Sequence, residues 1–243
     1  MSKPLQQWLD DDVSKIKVGL KYYNEGFFRD PARPLHIDAD HFFAPADGII
    51  LYQKVVHPTE PIVEIKGRNF TLKDLMQDDK FDQTCLVIGI FMSQYDVHIN
   101  RVPYTGLLYY KKLPQIITTN RPMLNLEKHL VKALIDTDDM DYAFENERYL
   151  NSIFSPALNY KFYLIQIADK DVDVIAHYHP QGKYLFQNSR FSTVRYGSQT
   201  DLILPLSPKF ELQTCIPDHY HVEAGLDILV KINFPFDNSK EKL

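Results

Sequence analysis

A serine that directly follows a glycine can attack the carbonyl behind it. This chain carries such a pair, Gly197-Ser198, inside Arg195-Tyr196-Gly197-Ser198-Gln199-Thr200-Asp201-Leu202-Ile203-Leu204-Pro205. Glycine has no Cβ to shield its carbonyl and accepts bent backbone that other residues resist. Leu202 and Leu204 alternate with Ile203, and Pro205 closes the run, which reads as a strand beside the serine. An isolated Gly-Ser is also an ordinary turn, so the reading depends on reactive groups elsewhere. One set is Ser93-Gln94-Tyr95-Asp96-Val97-His98-Ile99-Asn100-Arg101-Val102-Pro103, delivered by the apolar run Leu86 to Met92. A histidine there can move protons near neutral pH, although Asp96 and His98 can equally satisfy each other or the backbone in a hydrogen-bonded loop. Another is Asp47 in Pro45-Ala46-Asp47-Gly48, a turn whose carboxylate can cap local amides.

These groups need a scaffold, and composition describes one. The 243 residues are 44% hydrophobic, 24% charged and 13% aromatic, with 15 Tyr and 15 Phe, which favours a folded, β-rich protein with a full core. The expected fold class is α+β: a single β-rich domain with antiparallel sheets around the Gly197-Ser198 strand and a few peripheral helices. A net charge of -5 argues against a general nucleic-acid binder. Cys85 and Cys215 form no CxxC pair or disulfide framework. No apolar run reaches the length of a membrane span, and Asp10, Asp11 and Asp12 break up any signal-peptide core.

Trp8, Leu9, Val13, Ile16, Leu20 and Tyr23 recur at helical spacing, so residues 1–30 read as an N-terminal amphipathic helix, with 31–243 as the main domain. Its apolar face packs on its own domain or, with Lys15, Lys17 and Lys21 nearby, lies on a membrane surface. Strands are expected at Leu35 to Phe43, Ile49 to Tyr52, 61 to 65, Lys161 to Ala168 and Val172 to Tyr178. Thr71 caps a short helix, 123 to 135 forms another, and Glu211 to Ile232 reads as a closing hairpin with Gly225 inside it. His177-Tyr178-His179 and His219-Tyr220-His221 have the spacing of metal ligands on one strand face, yet neither has an obvious third ligand and both pairs are set aside. No metal is expected.

Taken in order, Pro45-Ala46-Asp47-Gly48, Asp96-Val97-His98-Ile99-Asn100-Arg101-Val102-Pro103, Asn146-Glu147-Arg148 and Arg195-Tyr196-Gly197-Ser198 with Asp201 resemble the phosphatidylserine decarboxylase family. Ile65-Lys66-Gly67-Arg68-Asn69-Phe70-Thr71-Leu72 resembles that family's lysine-glycine stretch. The likeness spans roughly residues 40 to 232. It implies an enzyme that makes its own pyruvoyl cofactor. Ser198 Oγ attacks the carbonyl of Gly197, and the peptide bond becomes an ester. A base then removes the serine α-proton and elimination expels the glycine carboxylate, which cuts the chain between 197 and 198. Hydrolysis with loss of ammonia leaves a pyruvoyl group at the new N-terminus.

Position by position, the resemblance gives Asp47 the task of orienting or assisting the base of self-cleavage, and His98 proton transfer in decarboxylation. Asn100 and Arg101 become substrate-binding residues. The family's longer members carry a second histidine where Arg101 stands, and arginine cannot be deprotonated in a protein. The chain is more similar to the shorter branch around Gly197-Ser198, and there His98 would serve both steps while Arg101 holds a carboxylate or phosphate. The implied activity is decarboxylation of phosphatidylserine to phosphatidylethanolamine, peripherally, on the cytoplasmic side of a membrane. The two self-cleavage fragments would stay associated, and a homo-oligomer is compatible with the reading. A soluble amino acid as substrate, or an unprocessed binding domain without catalysis, are the alternatives.

Overall fold

The computed structural model describes residues 2–19, 21, 22, 26, 28–35, 38–114, 120–169, 175–195 and 198–235. Its centre is a nine-stranded antiparallel sheet, with strands numbered in chain order. From one edge to the other run β1 (Lys3–Pro4), β16 (Tyr220–Val222), β3 (Gly48–Val56), β6 (Cys85–Met92), β14 (Ser198–Pro205), β10 (Tyr160–Ala168), β9 (Arg148–Ser155), β8 (Gly106–Lys112) and β12 (Lys183–Leu185). The strand that begins with Ser198 is thus fifth of nine, flanked by β6 and β10. All eight residues of β6 and all eight of β14 are buried, as expected of strands covered on both faces.

Smaller sheets cover the large one. They are β11 (Ile175–His177), β13 (Arg190–Val194) and β7 (Ile99–Arg101); β15 (Glu211–Thr214), β17 (Ile228–Asn233) and β2 (His41–Phe43); and β4 (Pro61–Ile65) with β5 (Arg68–Thr71). Alternation along β14 divides the interior in two. Leu202 and Leu204 join the core containing Ile88, Ile90, Met92 and Leu164, whereas Ile203 joins the core of Ile49, Val87, Phe91 and Ile165 on the opposite face. The helices are short and peripheral: α1 (Leu5–Asp11), α2 (Leu72–Met76), α3 (Leu124–Leu130) and α4 (Tyr142–Glu145). The β-rich α+β class with antiparallel sheets holds.

Several elements differ from expectation. The N-terminal helix stops at Asp11 and is followed by a 3-10 turn, Val13–Lys15. Seven residues do not sustain a helix in water by themselves. Leu5, Trp8 and Leu9 are buried instead, each contributing about 1.5–3 kcal/mol through burial. The strand expected over Leu35 to Phe43 shortens to His41–Phe43. That expected over Val172 to Tyr178 shortens to Ile175–His177, with its start outside the described residues. The closing segment is not one hairpin. β15 pairs with β17, but the residues between them supply β16, which crosses into the main sheet beside β3 and β1. Thr71 caps α2 in a full capping box with Asp74. No helix among the described residues is long and apolar enough to cross a membrane.

Candidate active site

Three chain segments converge at the start of β14. Ser198 pairs with Met92, the last residue of β6, and with Ala168, the last residue of β10. Met92 leads directly into the Ser93 to His98 loop. That loop returns as β7, which pairs with β13, and β13 leads back toward Ser198. Both ends of the histidine motif are therefore anchored beside the serine. The anchoring is explicit: the backbone carbonyl of His98 accepts from the Val194 amide at 2.9 Å and from Thr193 Oγ1 at 3.1 Å.

Ser198 is fully buried, and its Oγ lies 3.7 Å from Met92 Sδ. Asn100 Nδ2 reaches the same sulfur at 3.5 Å, which brings these two residues of the expected site together. Asn100 Oδ1 in turn accepts from Gln166 Nε2 and, at 3.4 Å, from Thr200 Oγ1. Gln166 Nε2 also donates to Ser192 Oγ at 2.6 Å, and Asn151 Nδ2 donates to Gln166 Oε1 at 3.0 Å. His177 Nε2 extends this polar seam to Asn151 Oδ1 at 2.6 Å. Such a seam inside an apolar core is stable only because its members satisfy one another. Tyr196 and Gly197, the other side of the expected cleavage point, lie outside the described residues.

His98 is 3% exposed, and its Nε2 donates to the Ser93 carbonyl at 3.1 Å, which leaves the ring lone pair on Nδ1. Burial pushes its pKa down to about 4, so the ring is neutral at physiological pH. Asp47 is also buried, clamped by Arg33 through Nη1 to Oδ1 at 2.5 Å and Nη2 to Oδ2 at 2.7 Å, with the Ala224 amide donating to Oδ1 at 2.8 Å. Its side-chain hydrogen bonds among the described residues go to these groups and not to a histidine. Gly48 makes this turn possible. It sits at φ 148°, and a Cβ there would collide with the Phe91 carbonyl oxygen.

The residue that sequence reasoning passed over is His221. Its Nε2 meets Asp96 Oδ1 at 2.6 Å, and Asp96 Oδ2 accepts from the Ser93 amide and hydroxyl at 2.8 and 2.7 Å. The imidazole stacks on Trp8 with ring centroids 4.4 Å apart. Burial opposes charge on both partners, but the attraction between them prevails, raising His221 and lowering Asp96, so they form an ion pair. Asp47, Asp96 and His221 line one cavity of about 300 Å3 together with Trp8, Tyr95 and Arg29. Taken as one of an HxH pair, His221 gave no local signal of this; the crossing of β16 into the main sheet brings it there. His219, its neighbour in that pair, is exposed.

Behind β14, on the face opposite Ser198, a second polar group braces the strand. Tyr52 donates to Asp201, Gln199 Nε2 donates to Asp201 at 2.9 and 3.1 Å, and Tyr142 donates to Gln199 Oε1 at 2.6 Å. Burial lifts Asp201 to about 7. Asn146-Glu147-Arg148 has a positioning role. The Ala168 amide donates to the Glu147 carbonyl at 2.9 Å, and Asn146 Nδ2 donates to the Ala168 carbonyl at 2.8 Å. This fixes the residue that faces Ser198.

Removing one partner of a buried ion pair strands the other, which costs about 3–5 kcal/mol. His221→Ala is expected to lower unfolding free energy by that order, read by chemical denaturation of the Ser198→Ala chain. The pH dependence has a defined sign. His221 is raised from 6.5, so its contribution is complete below that pH and lost as pH rises through the higher folded value. Asp96 is lowered from 3.8, so its contribution is complete above that pH and lost as pH falls through the depressed value. The difference between parent and His221→Ala should be largest between pH 4 and 6.5, and a pH-independent difference would count against the ion pair.

The sequence has known relatives. The phosphatidylserine decarboxylase family model matches residues 25–230. The phosphatidylserine decarboxylase proenzyme of Geobacter metallireducens is 28% identical over 180 residues, 74% of this chain and 65% of that protein. This chain therefore aligns with just under two thirds of that relative. The proenzyme of Beijerinckia indica is 30% identical over 198 residues, 82% of this chain and 71% of the relative. That of Chlorobium phaeobacteroides is 27% identical over 197 residues, 81% and 74% respectively. With the match running through Asp47, the Asp96 to Arg101 segment and Ser198, the chain belongs to the phosphatidylserine decarboxylase family, a family of carboxy-lyases.

Proposed function

We propose that this chain is a proenzyme that cuts itself between Gly197 and Ser198 and then decarboxylates phosphatidylserine to phosphatidylethanolamine at a membrane surface. The observation that carries the reading is the position of Ser198: it is buried at the first residue of the central strand, and its Oγ shares Met92 Sδ with the amide of Asn100. In this mechanism Ser198 Oγ is the nucleophile and the neutral imidazole of His98 is the proton acceptor. Asn100 Nδ2 is the donor supplied beside the serine to an oxygen that gathers negative charge. Asp47, locked to Arg33, fixes the turn at the mouth of the acid–histidine cavity, a positioning task more than a direct proton transfer.

The residues around Ser198 fit a pyruvoyl group formed there. Two adjacent carbonyl oxygens in a buried place need N–H or O–H donors, and Asn100 Nδ2, which among the described residues reaches the same Met92 Sδ as Ser198 Oγ, is a donor at that point. When present, such a group supplies an electron sink for the bond to the departing carboxylate. His98, having accepted a proton, can return one to the substrate α-carbon after carbon dioxide leaves. The test is a comparison of carbon dioxide release from phosphatidylserine vesicles and from free amino acids by the self-cut protein. Release from vesicles at a rate at least tenfold higher supports the lipid substrate. The opposite preference assigns the chemistry to a soluble amino acid.

A further inference from the structure

A second cavity, of about 520 Å3, lies on the other side of the Arg33–Asp47 pair from the acid–histidine cavity, since Asp47 lines one and Arg33 the other. Three guanidinium groups line it: Arg33, Arg101 and Arg190. Asp47 neutralises Arg33. Among the described residues Asp30 alone serves the other two, at 2.8 Å from Arg190 Nε and 3.7 Å from Arg101 Nη2. One positive charge is therefore in surplus, in a chain whose net charge is -5.

Arg101 is the group least well answered. Its Nη1 donates to the Asn188 carbonyl at 2.9 Å, but Nη2 reaches the Pro31 carbonyl only at 3.4 Å, and buried Nε has no hydrogen-bond partner among the described residues. A buried cation with incomplete hydrogen bonding beside two like charges is costly unless an anion completes the set. The guanidinium fork suits a tetrahedral oxyanion.

The mouth of this cavity is apolar. Leu35 is 63% exposed and Tyr178 45%, both lining the cavity, and Phe186, next in the chain to cavity-lining Leu185, is 52% exposed. Large apolar side chains around a cationic hollow match a bilayer, where phosphate lies just outside acyl chains. The apolar residues of α1, by contrast, are buried against the domain.

We propose that Arg33, Arg101 and Arg190 receive the phosphodiester of an anionic phospholipid, and that Leu35, Tyr178 and Phe186 seat this face on the bilayer. The proposal rests on the lipid-decarboxylase reading and names the surface by which that substrate arrives. Its occupant is a membrane of anionic phospholipid.

The experiment is co-sedimentation of the self-cut protein, and separately of the uncut Ser198→Ala chain, with phosphatidylcholine vesicles containing phosphatidylserine or phosphatidylglycerol. Binding is expected to either anionic mixture, weakened by high salt. Arg190→Gln should reduce it roughly fivefold, the effect of about one basic residue at a membrane surface, and Leu35→Ser with Phe186→Ser should reduce it further. Lys15→Gln with Lys17→Gln, on the exposed N-terminal segment, should leave it unchanged. If Arg190→Gln and Phe186→Ser sediment as the parent does, or if the lysine variant alone abolishes binding, the proposal is overturned, whatever the protein decarboxylates. If vesicle binding follows these variants while only a soluble amino acid is turned over, the docking surface stands and the substrate reading fails.

Discussion

Ser198→Ala is expected to remain one uncut chain under conditions in which the parent becomes fragments 1–197 and 198–243. Removing the hydroxyl removes the nucleophile, and no neighbouring side chain can form the ester in its place. The substitution should leave the fold intact, because among the described residues the Oγ makes only a long contact with Met92 Sδ; a cost of about 1 kcal/mol is expected for losing it. Intact-mass spectrometry reads the cut directly, and hydrazine reactivity of the smaller fragment reads the ketone. In the parent the two fragments should co-elute from a sizing column and separate only in denaturant. The physical reason is that β14, the first strand of the smaller fragment, lies between β6 and β10 of the larger one, paired along its whole length with β6. A parent that stays whole through long incubation, with no reactive carbonyl, would support the non-catalytic binding domain instead.

His98→Ala has the second largest expected effect, a loss of about 10²–10⁴-fold in decarboxylation, the usual contribution of a positioned acid or base. His219→Ala, at an exposed residue, should change neither step. The pH profile of self-cleavage distinguishes the two buried histidines. A base must be deprotonated to act, so its step fails as pH falls through its pKa. With His98 as base, the rate should be level across neutral pH and fall only near its value of about 4. With His221 as base, the fall would come above 6.5, because Asp96 holds that imidazole in its charged form. A limb above 6.5 that disappears in His221→Ala would transfer the role from His98 to His221.

The Asp96–His221 pair matters for the family pattern too. Arg101 stands where longer members have a second histidine, and the structure turns that arginine toward the cationic cavity. Meanwhile a histidine from far along the chain pairs with Asp96, adjoining the Asp47 turn. The chain thus holds an acid–histidine pair bonded to Ser93, the residue after β6, and assembled from distant positions.

What the sequence determined by itself was local and periodic. The alternation after Ser198, the apolar run before Ser93 and the Thr71 to Asp74 capping pattern each depend on residues a few places apart, and each appears as β14, β6 and α2. The order of the short motifs likewise pointed to the family whose model matches residues 25–230. What only the tertiary structure decided was who touches whom across the sheet. Arg33 claims Asp47 from 14 residues away, and His221 claims Asp96 across 125. The second depends on one three-residue strand leaving a hairpin for the main sheet. Periodicity cannot report such a crossing, because β16 is too short to display a pattern and its partners lie far away in the chain. The early end of α1 was equally illegible: the spacing of Trp8 to Tyr23 allowed a longer amphipathic helix, whereas in the fold the helix ends at Asp11, its buried residues are Leu5, Trp8 and Leu9, and Trp8 stacks on His221 from far along the chain.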